Sequence, residues 1–131
     1  MKSIKNLILM ITLFVMTLGC EKNTNNASNN TTNTIVLLKF KTQPNKSSET
    51  ITALTKLIEQ VKHEPYFKGI TLHVDPNDDT NILLYEEWED VDYYNNEHME
   101  TEYIKAFMAS SNNFLAGPPD ITFWRVSKEF N

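Results

Sequence analysis

The histidines are the residues of this sequence best suited to proton chemistry. Of the three, His98 is the best candidate for a general base, because an imidazole with an ordinary pKa of about 6.5 accepts a proton near neutral pH. Its segment has helical spacing, so the alternative is a helix histidine that hydrogen-bonds a backbone carbonyl or solvent. His73 alternates outward from Leu72 and Val74, and could line a pocket or face a second copy of the chain. His63 ends an exposed helix and is expected to be inert.

Carboxylates are concentrated in the segment from residue 75 to residue 92. The spacing of positions 1, 3, 5 and 12 of a calcium-binding EF-hand loop is matched by Asp75, Asn77, Asp79 and Glu86. Such a loop turns on a glycine at position 6, where this chain has Thr80, and the flanking residues alternate like strands. We therefore predict a hairpin turn and no metal site. The acidic run that begins at Glu86 is expected to be a solvated entrance to a helix.

Length and composition narrow the class of protein. A chain of 131 residues holds one small domain. Its single cysteine excludes an intrachain disulfide framework and a cysteine-rich zinc site. With 17 acidic against 12 basic residues, the formal net charge is −5 and Lys and Arg form no cluster, which argues against nucleic-acid binding.

The first 19 residues are typical of a secretory signal. Lys2 and Lys5 give a positive start, and the apolar run from residue 7 to residue 16 is shorter than the ~20 residues of a membrane-spanning helix. The sequence TLGC that ends at Cys20 resembles a bacterial lipobox, whose cysteine is acylated and becomes the new N-terminus. We expect Cys20 to anchor the protein to a membrane of the cell envelope, facing the periplasm or the surface. The alternatives are an ordinary cleaved signal and a free thiol.

The rest of the chain divides into a tether and one domain. Residues 20–33 are rich in Asn and Thr and have no large apolar side chain, so we assign no structure to them. Residues 34–131 have the alternating and helical patterns of a folded α+β domain. The whole protein is therefore expected to be an acidic domain on a flexible, lipid-anchored tether.

The patterns within the domain predict a ferredoxin-like fold. The predicted strands are 34–41, 69–74, 81–88 and 121–126. A helix capped by Ser47 or Ser48 runs to about Glu64 and is ended by Pro65, and a second helical region begins at Asp90 and bends at Thr101. The order β-α-β-β-α-β is that of the split-βαβ arrangement.

Both faces of the predicted sheet are apolar. The first strand places Val36, Leu38 and Phe40 on one face, and Ile35 and Leu37 on the other. Two helices on one side cover only one of these faces. We therefore predict a homodimer in which the sheet of a second chain covers the other face.

Several short motifs occur in a characteristic order between residues 63 and 108. They are the Glu64-Pro65 break, the Leu72-His73 strand, the Asp75-Pro76 turn, the run Leu84-Tyr85-Glu86-Glu87-Trp88, a helix that reaches His98, and Lys105-Ala106-Phe107. This set resembles the antibiotic biosynthesis monooxygenase (ABM) family, and with the flanking strands the resemblance covers residues 34–130. Two features depart from the family: Tyr66 stands where glycine usually follows the Glu-Pro pair, and one more residue separates Trp88 from His98.

The resemblance implies a dimeric α/β barrel that oxygenates quinols or phenolic polycycles with O₂ and needs no cofactor. His98 would then be the catalytic base. Tyr85 and Trp124 would flank an aromatic substrate, and Arg125 would steady its anion. The other residues assigned to the substrate pocket are Phe40, His73, Trp88 and Phe107, although core packing is the favoured role for Trp88.

Other functions remain open. A non-catalytic small-molecule-binding module of the same fold would keep the pocket without the chemistry. A purely structural dimer would have a cavity smaller than the ~300 Å³ of small-molecule sites. Haem degradation fits poorly, because relatives with that activity resemble one another in an Asn on the first strand and a Trp on the later helix, which are missing here. Isomerisation of a phosphorylated signal is disfavoured by the acidic composition.

Overall fold

A computed structural model describes residues 33–130 as a four-stranded sheet with helices over one face. The first half of the domain consists of β1 (Thr34–Lys41), α1 (Ser47–Val61), β2 (Phe67–Val74) and β3 (Asn81–Trp88). The second half consists of α2 (Val91–Tyr93), a π-helical turn (Tyr94–His98), α3 (Glu102–Ser110), a 3-10 turn (Ser111–Asn113) and β4 (Asp120–Arg125). The predicted signal segment, Cys20 and nearly all of the predicted tether lie outside the described residues.

The sheet is antiparallel throughout, in the order β2-β3-β1-β4. β1 is central and pairs with β3 along its whole length, from Thr34 opposite Trp88 to Lys41 opposite Asn81. This is the ferredoxin-like arrangement, so the predicted β-α-β-β-α-β order is confirmed. The predicted bounds of β1 and β3 match the structure, whereas β2 begins earlier, at Phe67, and continues through an irregularity before Gly69.

The hydrophobic core lies between the helices and one face of the sheet. Alternation along the strands places apolar residues of β1 and β3 on this face: Val36, Phe40, Ile82, Leu84 and Trp88. The helices contribute Leu54, Val61, Ile104 and Phe107. The sequence predicted that the first helix runs to about Glu64. In the structure α1 ends at Val61, so Glu64 lies in the turn that follows the helix.

The π-helical turn at Tyr94–His98 is the irregular element of the second helical region. A π turn contains one residue more than an α-helical turn. This turn therefore contains one residue more than a regular α-helical turn would, and Tyr94 and His98, at its two ends, are both buried. Asp90 caps the start of this region, since its carboxylate accepts from the backbone N–H groups of Asp92 and Tyr93.

The second face of the sheet has no helix over it in residues 33–130. Leu37 and Leu83 are half-buried in its middle, and Tyr85 and Trp124 are 37% and 57% exposed. The apolar character predicted for both faces is present, since the open face carries these four large apolar or aromatic side chains. Within this same range, no helix is long and apolar enough to cross a membrane.

Tyr66 has a strained backbone in the turn that presents Glu64. Its φ of 65° lies in the left-handed region, which costs a residue with a β-carbon about 1–2 kcal/mol. A glycine at this point would avoid that cost. The Tyr66 ring offsets part of the cost by packing against Tyr93, with ring centroids 5.2 Å apart.

Comparison of Tyr66→Gly with Tyr66→Ala separates strain from packing. Both variants lose the ring contact, but only glycine relaxes the backbone. We expect the free energy of unfolding of the glycine variant to exceed that of the alanine variant by about 1 kcal/mol, measured by urea titration. Equal stabilities, or a more stable alanine variant, would contradict a left-handed turn at this residue.

Candidate functional site

The candidate site is organised around the carboxylate of Glu64, whose side chain is only 5% exposed. Both of its oxygens lie near Nδ1 of His98, at 2.9 and 3.0 Å. The hydroxyls of Tyr103 and Tyr93 donate to the same carboxylate at 2.5 and 3.2 Å. Three donors from three consecutive helical elements thus converge on one buried charge, as burial of a carboxylate requires.

His98 is held in place on several sides. Its ring stacks on Tyr94 with centroids 4.7 Å apart, and Trp88 lies against it at 4.8 Å. Burial lowers the pKa of His98 below its ordinary value of 6.5, and this effect exceeds the opposing influence of the Glu64 carboxylate. The imidazole is therefore neutral at neutral pH and donates its Nδ1–H to Glu64, which leaves the lone pair on Nε2 as a proton acceptor.

A cavity of about 60 Å³ lies between the sheet and the helices. Most of its wall is aliphatic or aromatic, and its ionisable lining groups are His98, Glu86 and Tyr94. Nε2 of His98 forms no hydrogen bond with any of the described residues. Among those residues, every side-chain nitrogen or oxygen that is fully buried does have a hydrogen-bond partner. Nε2 is therefore not sealed within the core, and His98 is one of the residues that line the cavity.

Glu86 is a second buried carboxyl group on the cavity wall. It is 5% exposed and accepts a 2.9 Å hydrogen bond from Nε1 of Trp88 at Oε2. Burial raises the pKa of Glu86 from 4.5 to about 7, and the nearby Glu64 charge adds to the rise while the Trp88 bond opposes it. The expectation that this residue belongs to a solvated acidic run is wrong for Glu86, because strand alternation directs it into the core.

The structure brings only some of the predicted pocket residues together. Phe40 and Phe107 line the cavity with His98, and Trp88 is fully buried against the imidazole. His73, Tyr85 and Trp124 belong to the opposite face of the sheet, as their register with Leu83, Leu37 and Ile35 indicates. Arg125 is exposed at the end of β4. Within one chain, the first three cannot share a pocket with His98, and Arg125 is not among the residues that line the cavity.

Four residues of the site were missing from the sequence-based assignment: Glu64, Glu86, Tyr93 and Tyr103. Strand periodicity would have found Glu86, since it shares its parity with Leu84 and Trp88. Glu64 was visible only as part of the Glu-Pro break. Its meeting with Tyr103, which is 39 residues away, depends on tertiary packing.

A larger depression of about 550 Å³ lies at one end of the sheet, lined by Lys39, His73, Asn81, Pro118 and Asp120 among others. It is open to solvent and has mixed charge. The ammonium of Lys41 at its edge is already bound by Asp78 and Asn81 at 2.7 and 2.8 Å. The smaller cavity is the better candidate site, because it combines a mostly apolar wall with titratable groups whose pKa values are shifted by burial.

The predicted hairpin turn is present between β2 and β3. Asp75 and Asp78 accept hydrogen bonds from backbone N–H groups of the same turn, those of Asn77 and Thr80. In the part of the chain that the structure describes, no group of three or more His, Cys, Asp and Glu side chains could hold a metal ion. The turn carboxylates therefore have structural partners of their own.

Comparison with known proteins places this geometry in a family. The model of the antibiotic biosynthesis monooxygenase family matches residues 34–110. The chain belongs to the ABM family. Proteins of this family bind small molecules and are often dimeric.

Individual relatives share the fold at low sequence identity. An ABM protein of known structure is 19% identical, covers 72% of this chain and 99% of its own, and superposes with a TM-score of 0.65. A Pseudomonas aeruginosa protein is 20% identical with a TM-score of 0.67, over 74% of this chain and 96% of its own. A conserved protein from Methanosarcina mazei is 19% identical with a TM-score of 0.66, over 72% of this chain and 93% of its own.

A curated relative also matches. An uncharacterized protein of Synechocystis sp. is 27% identical over 97 residues, which are 72% of this chain. The match spans 63% of the length of that relative.

The buried Glu86 makes stability depend on pH. The pKa of Glu86 is about 7 in the folded state and 4.5 in the unfolded chain, so the unfolded chain releases this proton at lower pH. The free energy of unfolding therefore falls as pH rises from about 4.5 to about 7, by roughly 3 kcal/mol in all. We expect Glu86→Gln to gain stability relative to wild type as pH rises from 4.5 to 8, measured by urea titration at each pH. Glu87→Gln, on the opposite face, is the control. A constant difference between Glu86→Gln and wild type across this range would contradict a raised pKa.

Proposed function

We propose that this protein is a cofactor-independent monooxygenase that oxidises a quinol-like or aromatic small molecule with O₂. The observation that carries the proposal is the neutral imidazole of His98, fixed through Nδ1 by Glu64, with Nε2 free at the wall of an apolar cavity. Membership of the ABM family supports oxygenation as the reaction class.

In this proposal, His98 removes a hydroxyl proton from the substrate. A quinol or phenol transfers an electron to O₂ readily only after it becomes an anion, so the base initiates the reaction. Glu64 holds the imidazole in the tautomer that keeps Nε2 unprotonated and stabilises the imidazolium that forms. The apolar wall, with Phe40 and Phe107, keeps water away from the reactive anion.

The small cavity requires the substrate to open it. A volume of about 60 Å³ is well below the ~300 Å³ of a site for a drug-sized molecule. Met99 and Met108 belong to the wall, and Met108 is 44% exposed at its edge. Methionine side chains repack easily, so we propose that their displacement admits the ring. The same small volume is the one expected of the structural dimer, whose cavity would be smaller than a small-molecule site.

A matched pair of histidine variants tests the catalytic base. Oxygen uptake with a panel of hydroquinones, corrected for autoxidation, should fall about 100-fold in His98→Asn. His63→Asn, at an exposed position after α1, should leave the rate unchanged. The wild-type rate should rise with pH to a plateau, with a midpoint below pH 6.5, because only neutral His98 accepts a proton and burial lowers its pKa.

Two results would contradict this assignment. Uptake that is equal in His98→Asn and wild type would remove His98 as the base. Saturable hydroquinone binding without oxygen uptake, under air and with no added cofactor, would favour the binding module instead.

We also propose that the protein is a homodimer joined through the open sheet face. The half-buried Leu37 and Leu83 and the exposed Tyr85 and Trp124 form the apolar surface that supports it. In that dimer, Tyr85, Trp124 and His73 would lie at the interface between the two chains. The frequent dimerisation of ABM proteins supports the same arrangement.

A charge in the middle of this face should separate the chains. We expect Leu37→Asp to sediment as a monomer at concentrations at which wild type is a dimer, because two carboxylates would be buried across the two-fold axis. Lys56→Asp, on the exposed side of α1, is the control. A monomeric wild type, or a dimer that withstands Leu37→Asp, would contradict this interface.

The position of the protein in the cell follows from its N-terminal sequence in our proposal. Acylation at Cys20 would anchor the acidic domain to a membrane outside the cytoplasm, because each buried acyl CH₂ contributes about 0.8 kcal/mol. An unmodified Cys20 thiol in protein extracted from membranes, detected by mass spectrometry, would contradict the anchor.

A further inference from the structure

Glu86 is a buried titratable group that has no role in the proton abstraction proposed for His98. It lies on β3 with its neighbours Val36 on β1 and Ile70 on β2 directly opposite. These residues belong to the core, yet Glu86 shares the cavity wall with His98. A carboxyl group in the middle of a sheet needs a function or a partner, since burial of its charge is costly.

The hydrogen bonds of Glu86 determine where its proton lies. The Trp88 indole is only a donor, so Oε2, which accepts from it, carries no proton on that side. Oε1 has no hydrogen-bond partner in the described range, where every fully buried side-chain oxygen has one, so Oε1 has access to the cavity. A protonated Glu86 therefore presents its O–H toward the same space as Nε2 of His98.

The titratable groups around Glu86 favour its neutral form. They are Glu64 in the turn after α1, and Tyr94 and His98 in the π-helical turn. Glu64 repels a second negative charge, Tyr94 stays a neutral phenol because burial raises its pKa, and His98 is neutral. With its pKa near 7, Glu86 holds its proton on the acidic side of neutrality and can release and regain it during a reaction.

We propose that Glu86 is the catalytic acid that protonates the peroxide formed from O₂, and so selects oxygen insertion over release of hydrogen peroxide. This inference rests on the proposed oxygenase function. It assigns complementary tasks to the two groups on the cavity wall: His98 accepts the substrate proton, and Glu86 acts on the oxygen.

The sequence can be written for 1,4-dihydroxynaphthalene. His98 takes one hydroxyl proton, the anion passes an electron to O₂, and the resulting radicals combine at C2 as a peroxide anion. Glu86 gives its proton to the terminal peroxide oxygen. Its carboxylate then removes the C2 hydrogen while the O–O bond breaks, and the departing hydroxide takes the proton held by His98. The immediate product is 4-hydroxy-1,2-naphthoquinone, which tautomerises to 2-hydroxy-1,4-naphthoquinone as the C4 hydroxyl proton moves to the C2 oxygen. The other product is water, and both side chains return to their starting forms.

Without this acid the peroxide has another outcome. It takes the proton of the C4 hydroxyl, and the C2–O bond breaks to release hydroperoxide anion. That anion takes the proton held by His98, and 1,4-naphthoquinone and hydrogen peroxide form. Both routes consume one O₂ for each quinol, so oxygen uptake alone cannot distinguish them. The ratio of hydroxylated quinone to hydrogen peroxide therefore reports on the acid specifically.

The test measures this ratio for wild type, Glu86→Gln and Glu87→Gln with 1,4-dihydroxynaphthalene under ¹⁸O₂, with the enzyme-free reaction subtracted. The Glu86→Gln substitution preserves the shape of the side chain and removes its acidic proton. We expect its formation of ¹⁸O-labelled hydroxynaphthoquinone to fall about 100-fold while hydrogen peroxide rises. Glu87, on the other face of the sheet and bonded to Asn33, should be dispensable.

The pH dependence gives a second readout. In wild type, the hydroxylated share should fall as pH rises through about 7, and in Glu86→Gln it should be low and independent of pH. Unfolding curves confirm that each variant is folded. An unchanged product ratio in Glu86→Gln, with oxygen uptake that still depends on His98, would overturn the role of Glu86 alone. Absence of any His98-dependent uptake in wild type would overturn the oxygenase function and this inference together.

Discussion

The described domain depends on the burial of one carboxylate. Glu64 projects from the turn after α1 and accepts hydrogen bonds from His98, Tyr93 and Tyr103. A buried carboxylate without such donors would cost several kcal/mol, so each donor is needed where it lies. The same bonds join the first half of the domain to the second, and they give the imidazole its orientation and its tautomer. The hydrogen bonds that make burial of Glu64 possible are therefore also the ones that orient the imidazole of His98.

The two irregular backbone segments lie on either side of this carboxylate. Tyr66 has a left-handed backbone just after Glu64, and the π-helical turn ends at His98. Each departs from regular backbone geometry, one by a positive φ at a residue with a β-carbon and the other by a π-helical turn. Local strain of this kind persists where the surrounding contacts determine the conformation, and it is concentrated at functional sites. Here the contacts that compensate for it are those of the site itself.

The sheet separates two environments by the alternation of its side chains. On β3, Tyr85 faces the open side, whereas Glu86 faces the cavity. The first surface carries exposed aromatic side chains, and the second encloses a small space lined by the titratable side chains of His98 and Glu86. A register shift of one residue would exchange these roles, because every side chain would move to the opposite face. Pairing of β3 with the central β1 along eight residues prevents such a shift.

Hydrophobic periodicity determined the order of strands and helices, the bounds of β1 and β3, and the presence of apolar residues on both faces, because these features are local in the chain. The order of the motifs also indicated the family, and the resemblance to it implied that His98 is the candidate base. The sequence did not determine which aromatic residues share a pocket, and it missed Glu64, Glu86, Tyr93 and Tyr103. Those residues acquire their roles from contacts across the chain, such as that between Glu64 and Tyr103. Only the tertiary structure decided them, since the burial that perturbs a carboxyl group or an imidazole is created when the helices close over the sheet.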